Sequence, residues 1–466
     1  MLKLTTLEIA KVVSAELIGS AEVVVSGSVE TDSRKVSAGS LFVAKPGEET
    51  DGHLFIENAI ANGAVAALVE RQVPGDIPQL IVSDVVVAMG VLAKYVVAEV
   101  KSKGKLQVVG VTGSNGKTTT KNMLGNILSK FGPTVAPQES FNNEVGAPYS
   151  MLQITEETAF LVVELGAGGP GSIRYLAQMC QPDIGIELKV GLAHAGEFGG
   201  IDNTQKIKAE LVEELSSEAL ALLNADDAYV MQMQSMTKAK VLTFGTQTDS
   251  NYFASQVAGS IDGTNFLFHS PNREPKKVQL QILGEHHVFN AMAALATADQ
   301  LKLDLDIAIQ AIEAMPLAER WRMELHRRAD GLTVINDAYN ASPDSMKAAL
   351  QTLAELGRQT GKKTVAVLGE MAELGQFSIT EHDAMGRIAV RLNLGQLVVI
   401  GAGAKLIHMG ATQEGSWDGE SKYFEQISEG EQYLREMLTG EEIVLVKSSK
   451  SANLRYLGDA LLEENK

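Results

Sequence analysis

The sequence holds one cysteine, Cys180, in 466 residues. That excludes an internal disulfide and a thiolate metal cluster, and leaves the side chain to fill a small space in a core. Long apolar runs are missing too: Val85 to Ala93 is bracketed by Asp84 and Lys94 and is about half of what a bilayer crossing requires, so no membrane span is expected. Lys3 and Glu8 interrupt the N-terminus where a secretory signal needs an unbroken apolar segment, and the expected location is the cytoplasm. Basic charge is scarce. Forty Lys and Arg stand against 58 Asp and Glu, a net charge of -18 with no basic cluster, which argues against a nucleic-acid partner. A phosphorylated small molecule stays compatible, provided positive groups are local and metal ions share the charge. No low-complexity tract or short repeat is present.

What remains is an ordinary globular composition, 45% hydrophobic and 21% charged, in a chain long enough for about three domains. Ser40 to Ala44, Phe55 to Ala64 and Ala66 to Val69 alternate strand and helix patterns, and the polar break Lys101 to Lys105 sets a first boundary, giving a small α/β domain over 1–104. From Leu106 the order strand, glycine loop, helix, strand predicts a parallel sheet wrapped by helices over 105–315. Within it, alternation and Asp262-Gly263 at 250–283 predict antiparallel hairpins added to that sheet, and an alanine-rich helix begins around Asn290. Strand patterns at Thr333 to Asn336, Thr364 to Leu368, Leu397 to Ile400 and Ile443 to Val446 predict a third, Rossmann-like α/β domain over 316–466.

The segment Gln107 to Thr120 reads as a buried strand, a glycine loop and a helix. Gly110, Gly113 and Gly116 lead into Gly-Lys-Thr, the chemistry of a phosphate loop: backbone N–H groups cradle phosphates, Lys117 reaches the terminal ones and Thr118 holds magnesium. Val111 stands where the strict motif has its first glycine. A parallel-sheet nucleotide site expects an acid at the end of a neighbouring strand, and Ala159 to Gly166 supplies Glu164. No guanine-reading Asn-Lys-x-Asp is present, which favours ATP.

A helix is expected over Gln205 to Leu215, capped by Asp202 or Asn203. Ile207, Leu211, Val212 and Leu215 share an arc of about 140°, and Lys208 falls inside it. Two outcomes are open for Lys208: it snorkels to the surface, or it stays buried, loses its proton and reacts with carbon dioxide to give a metal-ligating carbamate. His194, alone in a glycine-rich loop, is equally open.

Five segments together resemble the Mur ligase family: Thr-Gly-Ser-Asn-Gly-Lys-Thr-Thr at 112–119, Phe-Asn-Asn-Glu-Val-Gly-Ala-Pro at 141–148, Gly-Glu-His-His-Val-Phe-Asn-Ala-Met-Ala-Ala at 284–294, Asn-Asp-Ala-Tyr-Asn-Ala-Ser-Pro-Asp-Ser-Met at 336–346 and Leu-Gly-Glu-Met-Ala-Glu-Leu-Gly at 368–375. The family's glycines fall where Gly110, Gly113 and Gly116 stand, which accounts for Val111. The resemblance implies ATP-dependent joining of D-alanyl-D-alanine to UDP-N-acetylmuramoyl-tripeptide, by a chain expected to act as a monomer.

By the same resemblance, Gly113, Ser114, Asn115, Gly116, Lys117, Thr118, Thr119, Asn290, Arg322 and Asp337 would bind ATP, with Asn290 on adenine and Arg322 reaching the γ-phosphate. Thr118 and Glu164 would hold one Mg2+, and His194 with carbamylated Lys208 a second; Lys117, Lys208, His194 and Arg322 would be the catalytic set. Ser33, Arg34, Lys45, Asp51, Gly52 and His53 would bind the UDP-sugar, with Asn142 and Asn143 on its muramoyl part and Tyr339 and Asn340 on the acceptor side. Two segments depart from the family pattern: Leu188-Lys189 replaces asparagine before the histidine loop, and Lys447-Ser448-Ser449-Lys450 replaces Lys-Gly-Ser-Arg. The rival readings are a family ligase that adds a single amino acid or glutamate, a P-loop kinase or ATPase, and a nucleotide-binding regulator.

Overall fold

The computed structural model describes residues 1–47, 50–137, 140–193, 195–315, 320–415 and 420–463. Its architecture is mixed α/β, built on three main sheets met in chain order. The first has five strands, in the order Glu16–Ile18, Gln79–Ile81, Ala64–Val69, Ser40–Val43 and Val29–Glu30, parallel except at Glu16–Ile18.

In the central sheet of nine strands, Lys240–Gly245, Leu220–Asn224, Ile184–Glu187, Gln107–Thr112, Phe160–Glu164 and Thr134–Val135 run parallel in that order. Tyr252–Ser260, Gly263–His269 and Lys276–Leu280 extend it as the expected antiparallel hairpins. The third sheet has six strands, parallel except for its edge strand Glu324–Arg327. Strands such as Val108 to Val111 are apolar on both faces because helices cover both sides.

Two details differ from the sequence reading. The helix expected from Gln205 runs Ile201–Glu213 and starts after Gly200, whose φ of 121° lets the chain turn into it; Asp202 therefore sits in its first turn, and Asn203 donates back to Phe198 O at 2.9 Å. The helix Val85–Ser102, counted with the N-terminal segment, buries Leu92, Val96 and Val100 in one core with Met151, Leu161 and Leu176 of the central region. Among the described residues, no helix is long and apolar enough to cross a membrane.

Candidate active site

The strand Gln107–Thr112 is flanked on both sides by parallel partners, so its C-terminal end opens at the middle of the sheet edge. There Gly113 and Gly116 take φ of 148° and 86°, backbone that a side chain would strain. A side chain at Gly116 would also collide with Asn290 Oδ1. The helix Lys117–Leu128 follows with no side-chain cap, which leaves its positive end for an anion. Lys117 Nζ donates to Gly113 O at 2.7 Å, across the loop it serves. Burial lowers the pKa of that ammonium, against the pull of Glu164. Ser114 accepts from Gly191 N at 2.8 Å and its own N–H donates to Lys189 O at 2.7 Å, which ties the loop to the segment after the next strand. Thr119 is half-buried in the first helical turn.

Glu164 ends the neighbouring strand beside Val111. Its Oε1 accepts from Asn142 Nδ2 at 2.8 Å and Ser140 Oγ at 3.0 Å, and Ser140 Oγ lies 3.2 Å from Thr118 Oγ1. Oε2 is buried and has no hydrogen-bond partner among the described residues. A hydroxyl beside a carboxylate with a spare oxygen is the donor set a hard divalent cation takes. Lys208 does not snorkel: it is 2% exposed on its helix, and burial, with Lys117 adding to it, lowers its ammonium to about 7. His194 lies outside the described residues.

Glu187 was not singled out by the sequence. It closes the strand on the other side of the P-loop strand, opposite Thr112, is fully buried, and among the described residues neither carboxylate oxygen has a hydrogen-bond partner. Burial pushes its pKa well up, against the pull of Lys208. The signal was available as a charged residue ending the apolar run Ile184 to Ile186.

Across the cleft stands the third sheet. Asp337 follows the strand Thr333–Asn336, and its Oδ2 pairs with Lys447 Nζ at 2.5 Å while its Oδ1 accepts from Met323 N at 3.0 Å. Lys447 Nζ donates also to Asn340 O at 3.0 Å, so the departing segment supplies a buried cross-brace. The guanidinium carbon of Arg322 lies 4.3 Å from the centroid of the Tyr339 ring, with Lys450 Nζ at 5.6 Å from the same centroid. Asn290 Nδ2 donates to His287 Nδ1 at 3.1 Å.

Two contacts join the sides: Ser342 Oγ donates to Asn115 Oδ1 at 3.2 Å, and Lys189 Nζ pairs with Asp344 at 2.9 Å. The other departing residue, Lys189, thus bridges the cleft. Beside it opens a cavity of about 710 Å³ lined by Lys189, Val257, His286, Phe289, Asp344 and Lys347.

The N-terminal candidates lie in a separate loop cluster. Arg34 is exposed and pairs with Asp32, next to buried Ser33. His53 is buried; its Nε2 accepts from Glu70 N at 2.9 Å, which puts the ring proton on Nδ1, 2.7 Å from Asp51 Oδ1. Asp51 also takes Arg71 at 2.5 Å. Gly52 packs on the backbone of Lys45 closely enough to exclude a Cβ. His53 and Asp51 therefore shape this loop, while Arg34 and half-buried Lys45 are its open basic groups. Asn142 spends its amide on Glu164, and Asn143 Oδ1 accepts from Gly146 N at 2.8 Å.

Three family profiles match the chain: the Mur ligase catalytic domain over residues 27–102, the Mur ligase middle domain over 111–298 and the Mur ligase glutamate ligase domain over 321–450. A UDP-N-acetylmuramoyl-tripeptide–D-alanyl-D-alanine ligase of Mycobacterium leprae is 37% identical, with 99% of each chain covered. The crystal structure of MurF from Acinetobacter baumannii superposes with a TM-score of 0.89 at 31% identity over 99% of both chains. MurF ligase from Thermotoga maritima, solved in complex with ADP, gives 0.79 at 26% identity, covering 93% of this chain and 96% of that one. The P-loop, the acid on its neighbouring strand and the facing third sheet are thus joined to similarity along the whole sequence, and the chain belongs to the Mur ligase family.

Proposed function

We infer that the protein is an ATP-dependent amide ligase that joins D-alanyl-D-alanine to the free carboxylate of UDP-N-acetylmuramoyl-tripeptide, releasing ADP and phosphate, in the cytoplasmic stage of peptidoglycan synthesis. The observation that carries this reading is end-to-end similarity, at 37% identity, to a relative named for that reaction. ATP is the nucleotide, in line with the ADP complex of the Thermotoga neighbour.

A carboxylate is a poor acyl donor until one of its oxygens becomes part of a leaving group. In the proposed reaction that oxygen attacks the γ-phosphorus, the bond to ADP breaks, and an acyl phosphate forms. The amine of the dipeptide then attacks the carbonyl carbon, phosphate departs and an amide remains. Lys117 and Arg322 neutralise the moving phosphoryl charge, the backbone of Gly113 to Gly116 holds the phosphates, and Asn290 and Asp337 orient the nucleotide. Thr118 and Glu164 would hold one Mg2+, and Lys208 as a carbamate, with His194, a second. The spare Glu164 oxygen and the Lys208 amine at about 7 support that reading. Bound there, the ions would add positive charge to the phosphates.

Ser33, Arg34, Lys45, Asp51, Gly52, His53, Asn142 and Asn143 are proposed for the UDP-sugar, and Tyr339 and Asn340 for the acceptor. With three substrates on units 1–104, 105–315 and 316–466, closure must exclude water that would destroy the acyl phosphate. The contacts of Ser342 with Asn115 and Lys189 with Asp344 are those a closed monomer would make.

The test is phosphate release from Mg·ATP and UDP-muramoyl-tripeptide with and without D-alanyl-D-alanine, with the product weighed. Release that requires the dipeptide, and a mass raised by one dipeptide less water, is expected. Release indifferent to the dipeptide would turn the reading to a kinase or ATPase.

A further inference from the structure

The segment Arg320-Trp321-Arg322-Met323-Glu324 contains no glycine, yet both neighbours of Arg322 sit in left-handed backbone, Trp321 at φ 65° and Met323 at φ 50°. For a side chain as bulky as tryptophan that conformation is costly, and it persists only where surrounding contacts impose it. The strain falls on both sides of the arginine assigned to the γ-phosphate, so whatever holds the turn also sets where that guanidinium lies.

Two carboxylates grip the turn, one on each side of Arg322. Asp337 Oδ1 accepts from Met323 N at 3.0 Å. Trp321 Nε1 donates to both oxygens of Asp459 at 3.1 Å, and Arg320 Nη2 pairs with the same carboxylate at 2.7 Å. Asn336 Nδ2 also donates to Asp459 Oδ1 at 3.1 Å; Asn336 and Asp337 are consecutive at the end of the strand Thr333–Asn336, so the two grips share one anchor. The backbone closes the turn as well: Trp321 N donates to Glu324 Oε2 at 2.8 Å, and Trp321 O accepts from Tyr339 N at 3.1 Å. Tyr339 is the ring against which the Arg322 guanidinium lies. Asp337 already belongs to the proposed nucleotide contacts. Asp459 does not; it comes from Leu454–Ala460, the last helix of the described chain.

We propose that Asp459 is a positioning residue for phosphoryl transfer: through the Trp321 indole it holds the left-handed turn that aims Arg322 at the γ-phosphate. With that contact removed, Trp321 is released toward ordinary backbone and the guanidinium moves with it. This rests on the ligase reading only in the γ-phosphate role of Arg322.

The test is the ratio of the dissociation constants of MgADP and of the magnesium complex of AMPPNP, a non-hydrolysable ATP analogue. It is read by isothermal titration calorimetry on the full chain, with melting temperature beside it. The ratio isolates the γ-phosphate, because a purely structural loss weakens both nucleotides alike. Arg322→Ala is expected to shift the ratio toward ADP about tenfold, the scale of one charge-assisted hydrogen bond. Asp459→Ala and Trp321→Phe should shift it about fivefold, the scale of an ordinary one, while Asp459→Asn, which keeps an acceptor for the indole, stays close to wild type. In the Arg322→Ala background, Asp459→Ala should move the ratio no further. Trp321→Phe removes the indole N–H and keeps a ring, so it carries the test if Asp459→Ala unfolds. If Arg322→Ala shifts the ratio while Asp459→Ala and Trp321→Phe leave it unchanged, the positioning role falls alone. If Arg322→Ala leaves it unchanged too, the γ-phosphate role of Arg322 falls and the proposal with it, while dipeptide-dependent ligation is judged separately by product mass.

Discussion

Lys447 on the third sheet and Lys208 beside the central sheet are each only 2% exposed, yet their surroundings are opposite. Lys447 holds Asp337 at 2.5 Å and Asn340 O at 3.0 Å, and its neighbour Ser449 accepts from Ala372 N at 2.8 Å. Among the described residues Lys208 has no ion pair, and Glu187, the acid it feels, has no hydrogen bond. A buried charge with its partners in the chain braces the wall it belongs to. One left without them is driven by burial toward its neutral form, which lowers Lys208 and raises Glu187.

The comparison can be broken most sharply at the loop itself. Lys117→Ala is expected to cut dipeptide-dependent phosphate release on the order of 10³-fold with an unchanged circular dichroism spectrum. An unaltered rate would remove the phosphate role from this wall. Next, Lys447→Met leaves the half-buried Asp337 carboxylate without its cation and should cost about 3 kcal/mol in urea unfolding. Lys208→Met should leave stability level or raised while activity falls; equal destabilisation by both would erase the difference between the walls.

The pH dependence sharpens it further. With its ammonium at about 7, against an ordinary value near 10.5, Lys208 is mostly neutral at pH 8. Stimulation by bicarbonate should therefore rise between pH 6 and 8 and then level. A rise that continues toward pH 10 would mark an ordinary lysine. In the same window the unfolded chain holds a proton that the folded one has lost. Stability from this group thus rises with pH between about 7 and 10.5, a slope Lys208→Met should remove. The smallest effect is expected at Lys189→Ala, whose half-exposed pair with Asp344 is worth at most about 1 kcal/mol. Small-angle scattering should show a slightly larger radius without substrates and the wild-type radius with them.

Much of the fold is legible in the sequence because parallel strands covered on both faces must be apolar runs ended by glycine or a polar residue, as at Val108 to Gly113 and Leu397 to Gly401. The helix start at Ile201 was not, since Asp202 and Asn203 are good caps and only the positive φ of Gly200 reveals the earlier turn. The core shared by Val85–Ser102 and the central sheet was hidden for a related reason: apolar periodicity shows that a face is buried, not against what.

Among site residues, the P-loop and Glu164 could be read locally, because a phosphate loop and the acid beside it are set by a few consecutive residues and the end of a neighbouring strand. The bare carboxylate of Glu187 could not, because lacking partners is a property of three dimensions. The sequence by itself determined the alternation of strand and helix, the glycine loop that ends in Gly116-Lys117-Thr118 and the apolar arc around Lys208, all fixed by spacing along the chain. Only the tertiary structure decided that Lys208 stays buried, that Lys447 and Lys189 brace the third sheet and the cleft, and that Glu187 meets no hydrogen-bond partner among the described residues. Those outcomes depend on which distant groups the packed sheets bring within reach and which they withhold.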